Sequence, residues 1–166
     1  MSPVGEPADG PGLTHVDATG AARMGDVSGK DVTVREASAS GRVLVSAEVV
    51  AALRDSSLPK GDALAVARIA GIQAAKRTPD LVPLCHPIAI HGVAVDVEVH
   101  DDHVALRATV RTADRTGVEM EALTCVSVAG LALVDMVKAL DPAAVITDVR
   151  VEHKTGGRSG EWRRDV

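Results

Sequence analysis

The chain contains no Phe, no Tyr and a single Trp, Trp162, among 166 residues. With 46% of residues hydrophobic, the core must be filled by Val, Ala, Leu and Ile. Small side chains of this kind let helices and strands approach closely and favour extensive subunit contacts. The lack of aromatics argues against stacking on unpaired bases. A formal net charge of −5 argues against a nucleic-acid partner, whose phosphates demand basic surface. Any anionic partner must then be small and met by a local cluster of Lys and Arg. Cysteine is scarce as well: Cys85 and Cys125 stand forty positions apart without C-x-x-C spacing, the pattern of free thiols in a reducing cytoplasm. No uncharged apolar run approaches the roughly 20 residues that a membrane helix needs. The opening MSPVGEPADGPG lacks the charged and apolar regions of a signal peptide. One domain is expected over residues 13–161, with 1–12 as a disordered leader and 162–166 as a short tail.

What is present reads as short strands and helices. Residues 13–31, weakly periodic and rich in turn formers, read as an extended arm. Val32-Thr33-Val34 and Val43-Leu44-Val45, separated by ASASG, read as a hairpin. Ser46 suits the N-cap of a short helix reaching Leu53. Asp62 suits the cap of a second helix, ALAVARIAGIQAAKR, whose Lys76 and Arg77 complement the negative end of the dipole and which Thr78-Pro79 stops. In VAVDVEV (93–99) and VALRATV (104–110), apolar residues alternate with polar or small ones. A turn centred on Asp101-Asp102 sets Val97 opposite Leu106, Val99 opposite Val104 and Asp96 opposite Arg107. Apolar pairs then share one face and opposite charges the other. A long helix over about 119–140 and a last strand, Val145 to Val151, follow. This order predicts an α+β fold, an antiparallel sheet with helices packed on one face.

The stretch LVPLCHP, residues 81–87, brackets Cys85 and His86 with prolines, which fix φ and remove N–H donors, so the pair is presented in a nearly fixed geometry. Zinc is disfavoured, because adjacent ligands rarely close one site and no second close pair exists. A Cys–His nucleophilic dyad is disfavoured too, since neighbours in an extended segment point to opposite faces. His15, His91, His100, His103 and His153 are scattered without ligand spacing, and Cys125 reads as core.

In the long helix, Glu119 and Glu121 mark the start, thirteen uncharged residues follow, and then come Asp135 and Lys138. A helix so apolar needs cover on nearly every side. Asp135 and Lys138 are three apart and share a face, where an exposed salt bridge is the plain explanation and a functional pair the sharper one. Glu121 and Asp135 lie roughly 21 Å apart along the axis. Either the ligand is long, or each pocket takes one helix end from each of two subunits. Lys60 precedes a helix N-terminus, a natural place to hold an anion. HKTGGRSG (153–160) joins Lys154 and Arg158 to glycines whose N–H groups can close around phosphate, though it is not a P-loop. Taken singly, each of these reads equally as a solvated turn.

As a set, PKGDALAVARIAGIQAAKRTPDLVPLCHPI, TGVEMEALTCVSVAGLALVDMVKAL and HKTGGRSG, in this order, closely resemble the molybdenum cofactor biosynthesis protein C (MoaC) family, over about residues 13–161. These are the cyclic pyranopterin monophosphate synthases. The resemblance implies a ferredoxin-like subunit in a homohexamer, a trimer of dimers with active sites at dimer interfaces. It also implies a lyase acting on (8S)-3′,8-cyclo-7,8-dihydroguanosine 5′-triphosphate, supplied by a radical-SAM GTP cyclase, with cyclic pyranopterin monophosphate and pyrophosphate as products. No cofactor or metal site of the protein's own is implied, though Mg²⁺ can accompany the triphosphate. On the family's pattern Asp135 and Lys138 match a catalytic pair, Lys60 another required lysine and Glu121 a second acid/base. Leu84, Cys85 and His86, with Glu119 and Met120, match substrate-contacting segments. Arg35, Lys154 and Arg158 fit as triphosphate ligands. The implied chemistry is a series of proton transfers, which needs positioned acids and bases. A lysine serves near neutrality only if burial or neighbours lower its pKa, so at least one crowded, poorly solvated lysine is expected.

Three positions depart from the pattern: Val134 stands where relatives often have Tyr, Arg158 where Lys is more usual, and Gly25 where a branched residue is usual. The competing reading is a catalytically inactive module holding a nucleotide-like anion, which needs the cations and His86 but not Asp135. A purely structural oligomer needs no charge cluster at its interface.

Overall fold

Residues 15–166 are described by a computed structural model, so the leader read at 1–12 lies outside the described residues. The chain runs β1 (Thr33–Leu44), α1 (Ala47–Arg54), α2 (Ala63–Lys76), α3 (Thr78–Leu81), β2 (Gly92–Val99), β3 (His103–Asp114), α4 (Glu119–Val137), β4 (Val145–Thr155) and β5 (Trp162–Arg163). Ser46 and Asp62 start α1 and α2 as expected, their side chains accepting from the Val49 and Ala65 N–H groups. Thr78-Pro79 does more than stop α2. Arg77 closes that helix, and Thr78, with Pro79 in the first turn, opens α3.

All strand pairs are antiparallel, in the order β2-β3-β1-β4-β5. With helices crossing from β1 to β2 and from β3 to β4, this is the split βαββαβ arrangement of ferredoxin-like α+β domains. The β2–β3 hairpin has the expected register: Val97 faces Leu106, Val99 faces Val104 and Asp96 faces Arg107.

The N-terminal hairpin is corrected. Residues 33–44 form one continuous central strand, paired with β3 on one side and β4 on the other. ASASG is not a turn. Ala37 and Ala39 are wholly buried beneath α4, and a Cβ on Gly41 would lie 2.8 Å from Val126 Cγ1, so these positions are small because a helix lies on them. Register shifts between Ser38 and Ala39 and between Ser40 and Arg42 absorb the irregularity. Two further boundaries move: α4 ends at Val137, and β4 continues to Thr155. The residues read as a tail include β5, which pairs Trp162 with Lys154.

The helix α4 lies on β1, β3 and β4, with α2 alongside it. It is the one helix among the described residues long and apolar enough by composition to cross a membrane, and here it is the central helix of the core. Gly71 of α2 allows the closest approach, since a Cβ there would lie 2.9 Å from the Cys125 carbonyl oxygen. The other face of the sheet carries an open concavity of about 970 Å³, lined by Arg42, Asp96, Arg107, Asp148 and Arg150 among others. None of the candidate site residues lies in it, and Arg42–Asp148 and Arg150–Glu152 pair with one another there.

Candidate active site

Two clusters form, one at each end of α4. At the C-terminal end, Lys138 Nζ donates to Asp135 Oδ1 at 2.7 Å, one helical turn away. Lys60, placed by the turn before α2, reaches the same residue: its Nζ lies 2.9 Å from the Asp135 carbonyl oxygen and 3.5 Å from Oδ1. Lys138 first and Lys60 second hold the Asp135 carboxyl below its usual range. It is therefore an ionised anchor for two ammonium groups. Neither lysine of this cluster is the crowded, poorly solvated one expected. The Lys60 and Lys138 side chains remain 42% and 58% exposed, because both stand at surface ends of helices with nothing from this chain above them.

At the N-terminal end, α4 begins without a side-chain cap and carries Glu119 and Glu121 in its first turn, where acidic groups suit the dipole. Glu121 is 1% exposed. Its carboxyl is pushed up, chiefly by burial. Cys85 Sγ lies 3.6 Å from Glu121 Oε1, and burial with the nearby Glu121 pushes the thiol up to about 11. Cys85 is therefore a protonated thiol at neutral pH, unsuited to serve as a nucleophile. The backbone that presents it is a turn, closed by the Cys85 N–H to the Val82 carbonyl, rather than the extended segment expected. His86, next in the chain, bonds through Nε2 to the Gly25 carbonyl oxygen of the arm. A carbonyl only accepts, so Nε2 carries the hydrogen.

Glu119 pairs with Lys154 of β4 at 3.0 Å. The Glu119 carboxylate lies over Gly117, where a Cβ would fall 2.0 Å from Oε2. Beyond Lys154 the chain turns at Gly156 and Gly157, with φ of +95° and +74°. A Cβ on Gly156 would lie 2.3 Å from the Val34 carbonyl oxygen, and one on Gly157 would lie 2.2 Å from Arg35 Nη1. Glycine is thus required for this turn to rest on Arg35, whose Nε donates to the Asp114 carbonyl at 3.0 Å. Met120 and Arg158 are exposed and Leu84 is half-buried.

The structure therefore joins Lys60 to Asp135 and Lys138, and Cys85 to Glu121 with Glu119 and Lys154 nearby. It does not join the two groups to each other, since Glu121 and Asp135 remain about 21 Å apart along the helix axis. Among the described residues, no three His, Cys, Asp or Glu side chains gather to hold a metal ion. Two contributions escaped the sequence reading. Gly25 acts through its backbone carbonyl, which no side-chain pattern reveals. Gly117 had a signal in the TGVE run before the helix, as a residue whose lack of a side chain leaves room for the carboxylate.

Known proteins resemble this chain over most of its length. The family whose model matches is the MoaC family, over residues 24–157. A Nocardioides sp. protein named cyclic pyranopterin monophosphate synthase is 71% identical over 155 residues, covering 92% of this chain and 95% of that relative. A Streptomyces coelicolor protein of the same name is 70% identical over 152 residues, covering 92% of this chain and 89% of the relative. Cyclic pyranopterin monophosphate synthase 2 of Mycobacterium tuberculosis is 59% identical over 152 residues, covering 92% and 91%. With both helix-end clusters inside the matched region, this chain belongs to the MoaC family.

Proposed function

We propose that the chain is a cyclic pyranopterin monophosphate synthase of molybdenum cofactor biosynthesis. It acts as a lyase on (8S)-3′,8-cyclo-7,8-dihydroguanosine 5′-triphosphate, releasing pyrophosphate. The observation that carries this reading is Asp135 held between Lys138 and Lys60. A module built only to hold an anion gains nothing from a carboxylate that neutralises its cations. A site that moves protons gains fixed lysines whose orientation that carboxylate sets. The binding-only alternative is disfavoured on this ground.

In this reading the N-terminal end of α4 binds and the C-terminal end brings lysines to the reacting atoms. Glu119 and Lys154 pair with one another. With substrate, Glu119 accepts from the paired N–H groups of the guanine-type ring, and Lys154 turns to the triphosphate together with Arg35 and Arg158. Leu84, His86 and Met120 line the same end. Lys60 and Lys138 supply positive charge and protons where phosphate oxygens and the opening ring gain or lose them, and Glu121, whose burial favours the protonated form, is the acid at the other end. The chemistry calls for no redox cofactor, and Mg²⁺ arriving with the triphosphate is part of the substrate.

Because the two ends cannot meet within one chain, the working pocket takes one end from each of two copies. Ile69 of α2 and Leu131 of α4 are each 59% exposed, apolar surface of the kind that a second copy covers. Such a partner would also desolvate Lys60 and Lys138. The proposed assembly is a homohexamer, a trimer of dimers, working in the reducing cytoplasm with both cysteines free and fed by a radical-SAM GTP cyclase. The test supplies the cyclised dihydro-GTP and follows pyrophosphate release and pterin fluorescence after oxidation. Turnover is expected, and a folded protein without any would remove the assignment.

A further inference from the structure

Glu121 presents its two carboxyl oxygens differently. Oε1 faces Cys85 Sγ at 3.6 Å. Oε2 is buried and has no hydrogen-bond partner among the described residues. A buried polar atom left without a partner is costly and calls for an explanation. The surroundings supply one. The thiol is protonated, because burial and the neighbouring carboxyl hold it up at about 11, so towards Oε1 it is a donor. Either form of the carboxyl can accept from a thiol at Oε1, but burial favours the neutral acid, and with Oε1 taken by the thiol the acid's own proton sits on the other oxygen. The groups acting on Glu121 are few. Cys85 faces it from the turn after α3, and Glu119 from its own helix. Lys154, from β4, is engaged with Glu119.

We propose that Cys85 is a positioning residue: by donating its S–H to Oε1 of Glu121, it leaves Oε2 as the oxygen that meets the substrate and hands over a proton. This rests on the reading of Glu121 as an acid in the proposed reaction. In the step, the Oε2–H bond breaks as an N–H or O–H bond forms on the substrate. The carboxylate left behind keeps the thiol hydrogen bond and later regains a proton from water. The arrangement explains why a cysteine that is neither nucleophile nor metal ligand stands beside a buried carboxyl. A thiol is a weak donor, so it orients the group without drawing it into ionisation.

The test uses two readouts on the full-length protein. Difference infrared spectroscopy on the substrate-free protein follows the protonated Glu121 carboxyl against pH, with Glu121→Gln to assign the band. Steady-state kcat is measured over the same range. Removing the donor in Cys85→Ala moves the Glu121 midpoint up in pH, and the stronger donor in Cys85→Ser moves it down. An acid works only while protonated, so the alkaline limb of kcat moves the same way as the midpoint. Cys85→Ala also loses kcat on the order of tenfold, the worth of one hydrogen bond to a group that becomes charged, and Ser restores much of it. Equal midpoints and equal profiles in wild type and Cys85→Ala would overturn the proposal while leaving the enzymatic reading intact. No turnover by the wild type would remove the catalytic role together with the function, whatever the infrared midpoints showed. Circular dichroism verifies folding, and the near-isosteric Ser variant decides the matter if Ala disturbs the turn.

Discussion

Asp135 and Glu121 are carboxyls on one helix whose titrations are shifted in opposite directions, and single-atom changes separate their roles. Asp135→Asn keeps the backbone carbonyl that receives Lys60 at 2.9 Å but removes the charge shared by the two lysines. The position is exposed, so stability should change little. Substrate binding, measured by calorimetry, should persist while kcat falls by roughly two to four orders of magnitude, the usual worth of acid–base machinery. Full activity would refute the assigned role. For Glu121 the sign of the pH effect follows from burial, which raises its carboxyl above the ordinary 4.5. The folded chain keeps the proton at a pH where the unfolded chain has released it. Stability is therefore fully present below that ordinary value and declines as pH rises towards the folded titration. Glu121→Gln has nothing to titrate, so from about pH 5 upward its Tm should fall less than that of the wild type, even as turnover is lost. Parallel Tm profiles would show that Glu121 is not held neutral by the fold.

At the scale of elements, small residues decided both what the sequence revealed and what it hid. The β2–β3 register was legible because period-two alternation and opposite charges agree on one alignment. The caps at Ser46 and Asp62 were legible because their chemistry is local. β1 was not, because ASASG has the composition of a turn while its smallness serves a helix lying on the strand, a long-range fact. The site divides in the same way. Asp135 with Lys138, and the Gly-rich exit after Lys154, are visible as spacing along the chain. The docking of Lys60 on Asp135 spans 75 positions, and the Cys85–Glu121 contact spans 36, so neither follows from pattern. The same smallness predicts where the core is least tolerant. In Gly71→Ala the new methyl meets the Cys125 carbonyl oxygen at 2.9 Å and Sγ at 3.1 Å. Backbone cannot yield as a side-chain tip can, so α2 must move away from α4. Denaturant unfolding should show a loss of about 1–3 kcal/mol, against the small gain that Ala brings to an unobstructed helix position. Unchanged stability would mean that the helices are less closely seated than described.

For the whole molecule the decisive question is which residues share a pocket. Lys60 and Asp135 touch within one chain and so belong to the same end of a pocket. Mixing Lys60→Ala with Asp135→Asn chains should therefore give no rescue, because both lesions fall at the same end of α4. The informative mixture pairs opposite ends, Glu121→Gln with Asp135→Asn, each inactive alone. In a two-fold dimer with composite pockets, a mixed dimer carries both lesions in one pocket and none in the other. Random reassortment makes about half of the dimers mixed, and half of their pockets are intact, so activity should return to about a quarter of wild type. Pockets built from a single chain predict no return at any mixing ratio, since every chain then carries a lesion in its own site. Dissociating and reassociating the subunits before the assay ensures exchange. The Lys60→Ala with Asp135→Asn mixture, treated in parallel, supplies the control that must stay inactive. Recovery in the first mixture and none in the second would place the two ends of α4 in one pocket across a subunit boundary. Silence in both would confine the chemistry to a single chain and leave the 21 Å between the ends, about fourteen helical rises, to be spanned by the substrate itself.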